Sequence, residues 1–247
     1  MATNSSIEWT QSTWNPVTGC DKISPGCAHC YAERMANRLK LMGSRRYSAG
    51  FDVVTHPETL DIPLRWKKPR TVFVNSMSDL FHERIPTDYI KRVFESMNRA
   101  HWHTFQVLTK RPERLAQLAN EFNWTPNIWM GVTVESKLFR SRIDLLRTVP
   151  AAVRFLSLEP LLNSLGALDL RDIHWVIVGG ESGPGSRPML KAWVAEIQVQ
   201  CHKRRVPFFF KQWGGVNKAK RGRLLDGQEF NEMPAEPFRP APSHNTM

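Results

Sequence analysis

Six short apolar runs recur along the chain, and their spacing constrains the fold more than any other feature. They are TVFVNS (71–76), TFQVLTK (104–110), IWMGVTVE (128–135), VRFLSLE (153–159), HWVIVGGE (174–181) and PFFFKQ (207–212). Each is near-continuously apolar rather than alternating, as strands are when helices cover both faces of a parallel sheet. Their starts fall some twenty to thirty-four residues apart, room for one strand and one returning helix. An earlier strand is expected near residues 7–10. The helices are expected after the cysteines, with Tyr31, Met35, Leu39 and Met42 inward and Gly43 as C-cap. Further helices are expected from an N-cap at Thr87, with Ile90, Val93, Phe94 and Met97 inward, and over 112–121, 136–149 and 191–205. Alternating strand and helix gives an α/β fold with a parallel sheet, open or closed into a barrel. With no repeat or linker in view, residues 1–225 read as one domain, and 226–247, with Pro234, Pro237, Pro240 and Pro242, as an irregular surface tail.

The runs share a second property: nearly all end in polar residues. These are Asn75-Ser76-Met77-Ser78-Asp79, Thr109-Lys110-Arg111, Thr133 with Glu135, Ser157 with Glu159, Gly179-Gly180-Glu181-Ser182, and Lys211-Gln212. One acid after a strand is as well explained by capping the next helix. A whole series is better explained by a polar site on one rim, since parallel strands bring their C-terminal ends to one face. The GGESGPG stretch has neither P-loop lysine nor GxGxxG spacing, so its glycines read as points of close backbone approach.

The chain carries a net charge of +11, which favours a polyanionic partner. Lys203, Arg204, Arg205, Lys218, Lys220 and Arg221 belong to an acid-free stretch between His202 and Arg223, and RWKKPR (65–70) is a second basic stretch. No run is long enough to span a membrane, and the N-terminus has no secretory pattern, so a cytoplasmic, reducing location is expected.

In that setting three clustered thiols, Cys20, Cys27 and Cys30, are expected to bind metal or do chemistry rather than form disulfides. Three readings follow. A zinc site needs a fourth ligand, for which His29, His101 and His103 are candidates. A nucleophilic cysteine leaves the clustering unexplained. An iron–sulfur cluster held by three thiolates leaves one iron open to a substrate or cofactor. Cys201, at helical spacing from Ile197 and Trp193, reads as a buried core cysteine.

The stretches WNPVTGCDKISPGCAHCYAERMA, NSMSDLF, LTKRPERL, LSLEP, IVGGESG, FFKQWGG and GRLLDGQEFNEMP resemble a phage and bacterial family of poorly defined function. Its three-cysteine motif is similar to that of radical S-adenosylmethionine (SAM) enzymes, and it is distantly like spore photoproduct lyase. The usual CxxxCxxC spacing is here C-x6-C-x2-C, with Ser24-Pro25-Gly26 as the turn of an enlarged loop. The resemblance implies a partial (β/α)6 TIM-like barrel with helices outside. It also implies a [4Fe–4S] cluster on Cys20, Cys27 and Cys30, whose open iron binds SAM and whose electron cleaves it to a 5′-deoxyadenosyl radical.

The implied SAM contacts are His29 near the adenine, Ser76, Ser78 and Asp79 where the superfamily has Gly-Gly-Glu, and Glu135 at the ribose hydroxyls. Gly179, Gly180 and Glu181 correspond to the adenine-side motif. Glu159, Lys110 and Lys211, with Gln212, are left as catalytic, substrate-facing residues. The implied substrate is a base in DNA, either a hypermodified phage thymidine undergoing rearrangement or a lesion under repair. The implied partners are DNA and an external electron donor such as flavodoxin, with the chain a monomer. A non-catalytic zinc protein that binds nucleic acid, and a radical SAM enzyme for a small molecule or peptide, are the competing expectations.

Overall fold

The computed structural model describes residues 5–235. Seven strands form one parallel sheet: β1 (Ser12–Trp14), β4 (Thr71–Val74), β5 (Thr104–Thr109), β6 (Ile128–Thr133), β7 (Val153–Leu158), β8 (Trp175–Gly179) and β9 (Phe208–Gln212), in that order. A two-stranded antiparallel ribbon, β2 (Val17–Thr18) with β3 (Val54–Thr55), stands beside it. The six apolar runs are all strands of this sheet. It is curled into a half-barrel with β1 and β9 at its edges.

The connections carry α1 (Tyr31–Leu41), α2 (Ile62–Arg65), α3 (Thr87–Arg99), α4 (Pro112–Leu118), α5 (Ser141–Arg147) and α6 (Lys191–Arg204). A seventh, α7 (Lys218–Arg221), follows β9. No helix among the described residues is long and apolar enough to cross a membrane. Ile90, Val93, Phe94 and Met97 of α3 are buried as expected, joining Leu115, Ile143, Leu146, Val194, Ile197 and Cys201 in the core on the helical face. Burial pushes the Cys201 thiol up to about 12, as befits an inert core cysteine.

The opposite face has its own core, Trp9, Trp129, Val153, Phe155, Trp175, Ile177 and Phe209, with Phe73 and Leu108 against it. The rings meet edge-on or tilted, Trp9–Phe73 at 4.7 Å and Trp175–Phe209 at 6.0 Å between centroids. Gly131 is opposite Phe155, and a Cβ there would lie 2.4 Å from the ring. Toward the C-terminal strand ends the same face becomes polar, with Thr133 beside Ser157 and then Glu135, Glu159 and Lys211. The aromatic layer therefore floors the half-barrel and leaves its polar mouth at one rim.

Four expectations change. The first strand begins at Ser12, and Ile7 and Trp9 pack into the aromatic floor instead. On α1 Met35 and Leu39 are half-buried as expected, beside the buried Ala32 and Ala36, whereas Tyr31 and Met42 are exposed. This helix lies against Tyr47 and Met77 rather than a broad sheet surface, so small residues make its closest approach. The segment 136–149 is a 3-10 turn (Lys137–Phe139) followed by α5. Pro86 rather than Thr87 occupies the α3 N-cap, and no side chain caps it.

After α7, Asp226 and Gly227 take left-handed conformations (φ 50 and 78) in a tight turn that buries Leu225. The following residues run along β9, where Glu232 accepts the Phe208 N–H at 2.9 Å and the Trp175 indole N–H at 2.8 Å. Pro237, Pro240 and Pro242 lie outside the described residues.

Gly131→Ala is expected to destabilise the fold by about 1–3 kcal/mol, because the Phe155 ring is fully enclosed and cannot retreat. Urea denaturation reads this as a lower midpoint at unchanged slope; an unchanged midpoint means the floor repacks freely.

Candidate functional site

The cysteine loop leaves the sheet through the β2 ribbon. Gly19 is left-handed (φ 82), and a Cβ would fall 1.9 Å from the Asp52 carbonyl oxygen, so the stem of the loop requires glycine. The Gly19 N–H donates to the Met77 carbonyl at 3.0 Å and the Cys20 N–H to Phe51 at 3.2 Å, anchoring the stem beside the end of β4. A 3-10 turn over Pro25–Cys27 follows, and Cys30 is the N-cap of α1. All three thiols are free and half-buried.

Their environments differ. Burial, helped by the Asp79 charge, pushes the Cys20 thiol up to about 11, although Arg111 opposes this and donates to its Sγ at 3.4 Å. Burial also acts to raise Cys27. The Lys110 charge and hydrogen bonds involving Ile23 and Ser24 outweigh it, leaving that thiol below its ordinary value.

The loops after β6 and β8 also close around this one. Gly26 backs onto Glu135, whose carboxyl oxygen Oε1 would be 3.1 Å from a Cβ at that position. Glu135 is fully buried. Its Oε2 accepts from Arg142 at 2.9 Å, while Oε1 has no hydrogen-bond partner among the described residues. The loop after β8 grips the cysteine loop directly: Arg187 Nη2 donates to the Pro25 carbonyl at 2.9 Å and Arg34 Nη2 to the Ser182 carbonyl at 2.8 Å. Gly185 lies against the His29 ring, where a Cβ would be 3.1 Å from Cε1.

Glu181 accepts three hydrogen bonds from Arg187, at 2.6, 2.9 and 2.9 Å. Burial acts to raise its carboxyl, but the Arg187 side chain, backbone N–H and charge more than offset this and hold it below the ordinary carboxylate range. Glu181 thus fixes the arginine that holds the cysteine loop.

The residues singled out from sequence divide by position. Asp79 is buried and saturated, accepting from Thr109 Oγ1 at 2.7 Å and the N–H groups of Lys110 at 2.9 Å and Phe81 at 3.0 Å, and pairing with Arg111 at 3.3 Å. Ser76 donates to Asn15 Oδ1 at 3.2 Å and Ser78 to the Val17 carbonyl at 2.9 Å. All three side chains brace the end of β4.

Glu159 and Lys211 form a half-buried ion pair at 2.7 and 2.9 Å, and Gln212 donates to Glu159 at 3.3 Å. Lys110 Nζ reaches Thr133 Oγ1 at 3.4 Å. Gly179 makes room for the Glu159 carboxyl (3.1 Å from a Cβ), and Gly180 for the Trp213 carbonyl (2.2 Å). All of these stand at the C-terminal rim with the cysteines.

Lys220 and Arg221 belong to α7, just past β9 on this rim; Lys218 begins the same helix, and its side chain lies outside the described structure. Lys203, Arg204 and Arg205 do not join them. They end α6, which returns from the end of β8 to the start of β9, so they stand at the opposite rim. There Arg204 and Arg205 line a cavity of ≈ 700 Å³. His101 and His103 also stand at that far rim, just before β5, with His103 donating to the Pro63 carbonyl at 3.0 Å. That placement removes both as partners for the cysteines.

Arg111 was legible only as part of a polar strand end, and Arg142 and Arg187 not at all. Arg111 and Arg142 are 3% and 5% exposed. Arginine is rarely buried without a task, yet only its burial marks it, and burial is not legible residue by residue.

The chain belongs to the family of proteins of unknown function DUF5131, whose model matches residues 4–234. No curated protein matches it. Among solved structures it is similar to a spore photoproduct lyase variant with bound AdoMet and dinucleoside spore photoproduct (14% identity, TM-score 0.45, 77% of this chain and 61% of that chain). It is also similar to another variant of that enzyme (14% identity, TM-score 0.48, 81% and 63%). The chain therefore spans about three fifths of the length of the structures it matches.

Glu181→Gln is expected to cost about 1–3 kcal/mol at neutral pH, by weakening charge-assisted hydrogen bonds. A depressed folded-state carboxyl contributes stability above its unfolded value and loses it as pH falls through the folded one. The gap in urea midpoint between wild type and variant should therefore be full above the ordinary carboxylate value and shrink as pH falls below it. A gap constant with pH excludes a Glu181 carboxylate as its source.

Proposed function

We propose that this chain is a radical SAM enzyme that holds a [4Fe–4S] cluster on Cys20, Cys27 and Cys30 and acts on a base in DNA. The supporting observation is the site's donor set. Three free thiols share one loop at the C-terminal rim of a parallel half-barrel, and that loop backs onto a buried carboxylate with one unpartnered oxygen.

Among the described residues no three His, Cys, Asp or Glu side chains close on a point as ligands of one metal ion do. Cysteines of a four-iron cluster each bind a different iron, and three thiolates leave one iron for SAM. The donor chemistry therefore fits such a cluster. When bound, it supplies the electron that cleaves SAM to methionine and a 5′-deoxyadenosyl radical.

The chain's own residues orient and shield. A buried carboxylate oxygen without a partner is costly, so Glu135 Oε1 is offered a donor when SAM is present, and a ribose hydroxyl is the donor proposed. His29, held by Gly185, lines the adenine side. Glu181 acts through Arg187, keeping the cysteine loop seated and water out. Ser76, Ser78 and Asp79 support the loop from behind, and Gly179 and Gly180 let the β8 end pack closely. Glu159 and Lys211, with Lys110 beside Thr133, present both signs of charge at the mouth, where a substrate's polar groups are met.

The net charge of +11 and the rim cations Lys220 and Arg221 favour DNA, whose target base must be flipped out to be reached. Lys203, Arg204 and Arg205 would meet only DNA that extends around to the far rim. Within DNA, we propose a hypermodified phage thymidine undergoing rearrangement, or a lesion under repair, with flavodoxin or a similar external protein as electron donor.

Anaerobically reconstituted protein given reductant and SAM is expected to release 5′-deoxyadenosine, and Cys→Ala at position 20, 27 or 30 to abolish it. Fully iron-loaded wild type that releases none contradicts the proposal. Glu135→Gln is expected to weaken SAM binding about tenfold in calorimetry; unchanged affinity removes Glu135 from the SAM site. Mass spectrometry of nucleosides from modified phage DNA, with and without enzyme, is expected to reveal a converted thymidine, and an unaltered profile contradicts that substrate.

A further inference from the structure

LTKRPERL carries a buried arginine that none of the roles above uses. Arg111 leaves the end of β5, and its side chain is only 4% exposed. Its Nη1 donates to Cys20 Sγ at 3.4 Å and pairs with Asp79 Oδ2 at 3.3 Å. Its Nε donates to both Glu83 oxygens at 3.0 and 3.1 Å, and Nη2 to the Asp21 carbonyl at 3.4 Å.

We propose that Arg111 sets the reduction potential of the cluster by holding a buried positive charge in hydrogen-bond contact with the Cys20 sulfur. The inference rests on the cluster reading above. Reduction adds one negative charge to a cluster and its sulfurs, and hydrogen bonds and net charge at the sulfurs move its potential. A guanidinium in contact with a ligating sulfur stabilises the reduced state more than the oxidised one, and burial protects that interaction from screening.

The two carboxylates beside Arg111 do not cancel it equally. Asp79 is engaged by three further donors, from Thr109, Lys110 and Phe81. Glu83 is 65% exposed at its side chain, so water screens most of its charge. A guanidinium keeps its proton in proteins, so Arg111 carries its charge into this contact. Arg111 is a positioning residue for the electron, acting through Cys20.

A purely structural Arg111 affects folding but leaves the potential alone, so the test is a redox titration of the loaded protein without SAM, followed by EPR. In Arg111→Gln the ratio of reduced to oxidised cluster at fixed potential is expected to fall about tenfold, which is 59 mV for a one-electron couple. Arg111→Lys keeps the charge but loses the fork, and a smaller fall is expected.

Variants with full iron content and wild-type ratios overturn the inference and leave the cluster reading standing. A wild type that holds no cluster overturns both. If Arg111→Gln fails to load iron, Arg111→Lys decides alone: a lowered ratio supports the inference, and an unchanged or raised one overturns it.

Discussion

The buried Asp79 carboxylate is the interaction on which the rest of the rim depends. It joins the end of β4 to the end of β5 through Thr109 and the Lys110 N–H, and it holds Arg111. A carboxylate with so little exposure persists only when its oxygens are satisfied by hydrogen bonds and opposite charge. Arg111 in turn faces Cys20, while across the mouth Arg187 joins Glu181 to the Pro25 carbonyl. Two buried carboxylates and two arginines therefore clasp the cysteine loop from opposite sides.

The sheet was legible because its strands are buried on both faces, so that their apolar runs stand out against amphipathic helices. Trp9 misled for the same reason: apolar character marks burial, and here burial is in the aromatic floor rather than in a strand. The inward face of α1 was legible only in part: Met35 and Leu39 pack beside Ala32 and Ala36, while Tyr31 and Met42 turn outward. At the site, polar strand ends gave Glu135, Glu159, Asp79 and Lys211 their common rim. Their individual partners were not readable: Arg111 showed only as part of a polar strand end, and Arg142 and Arg187 come from positions set only by the folded chain. Asp79 and Glu181 illustrate the difference: their place on the rim was legible, whereas their pairing with Arg111 and Arg187 was not.

The basic residues divide in the same way. Charge density alone grouped Lys203 to Arg205 with Lys218 to Arg221, because they are neighbours in sequence. The antiparallel return of α6 sends the first group to one end of the half-barrel, while β9 delivers the second to the other. A single strand of five residues separates two surfaces of similar charge and different access to the thiols.

In the proposed site, three thiolates leave one iron of a cluster open for SAM. The most direct measurement is the EPR spectrum of the reduced, cluster-loaded protein with and without SAM carrying isotopic labels on its amino nitrogen and carboxylate. A changed spectrum with hyperfine coupling to those labels is the predicted result. A spectrum indifferent to SAM, or a protein that binds a single zinc ion in place of a cluster, would contradict the account.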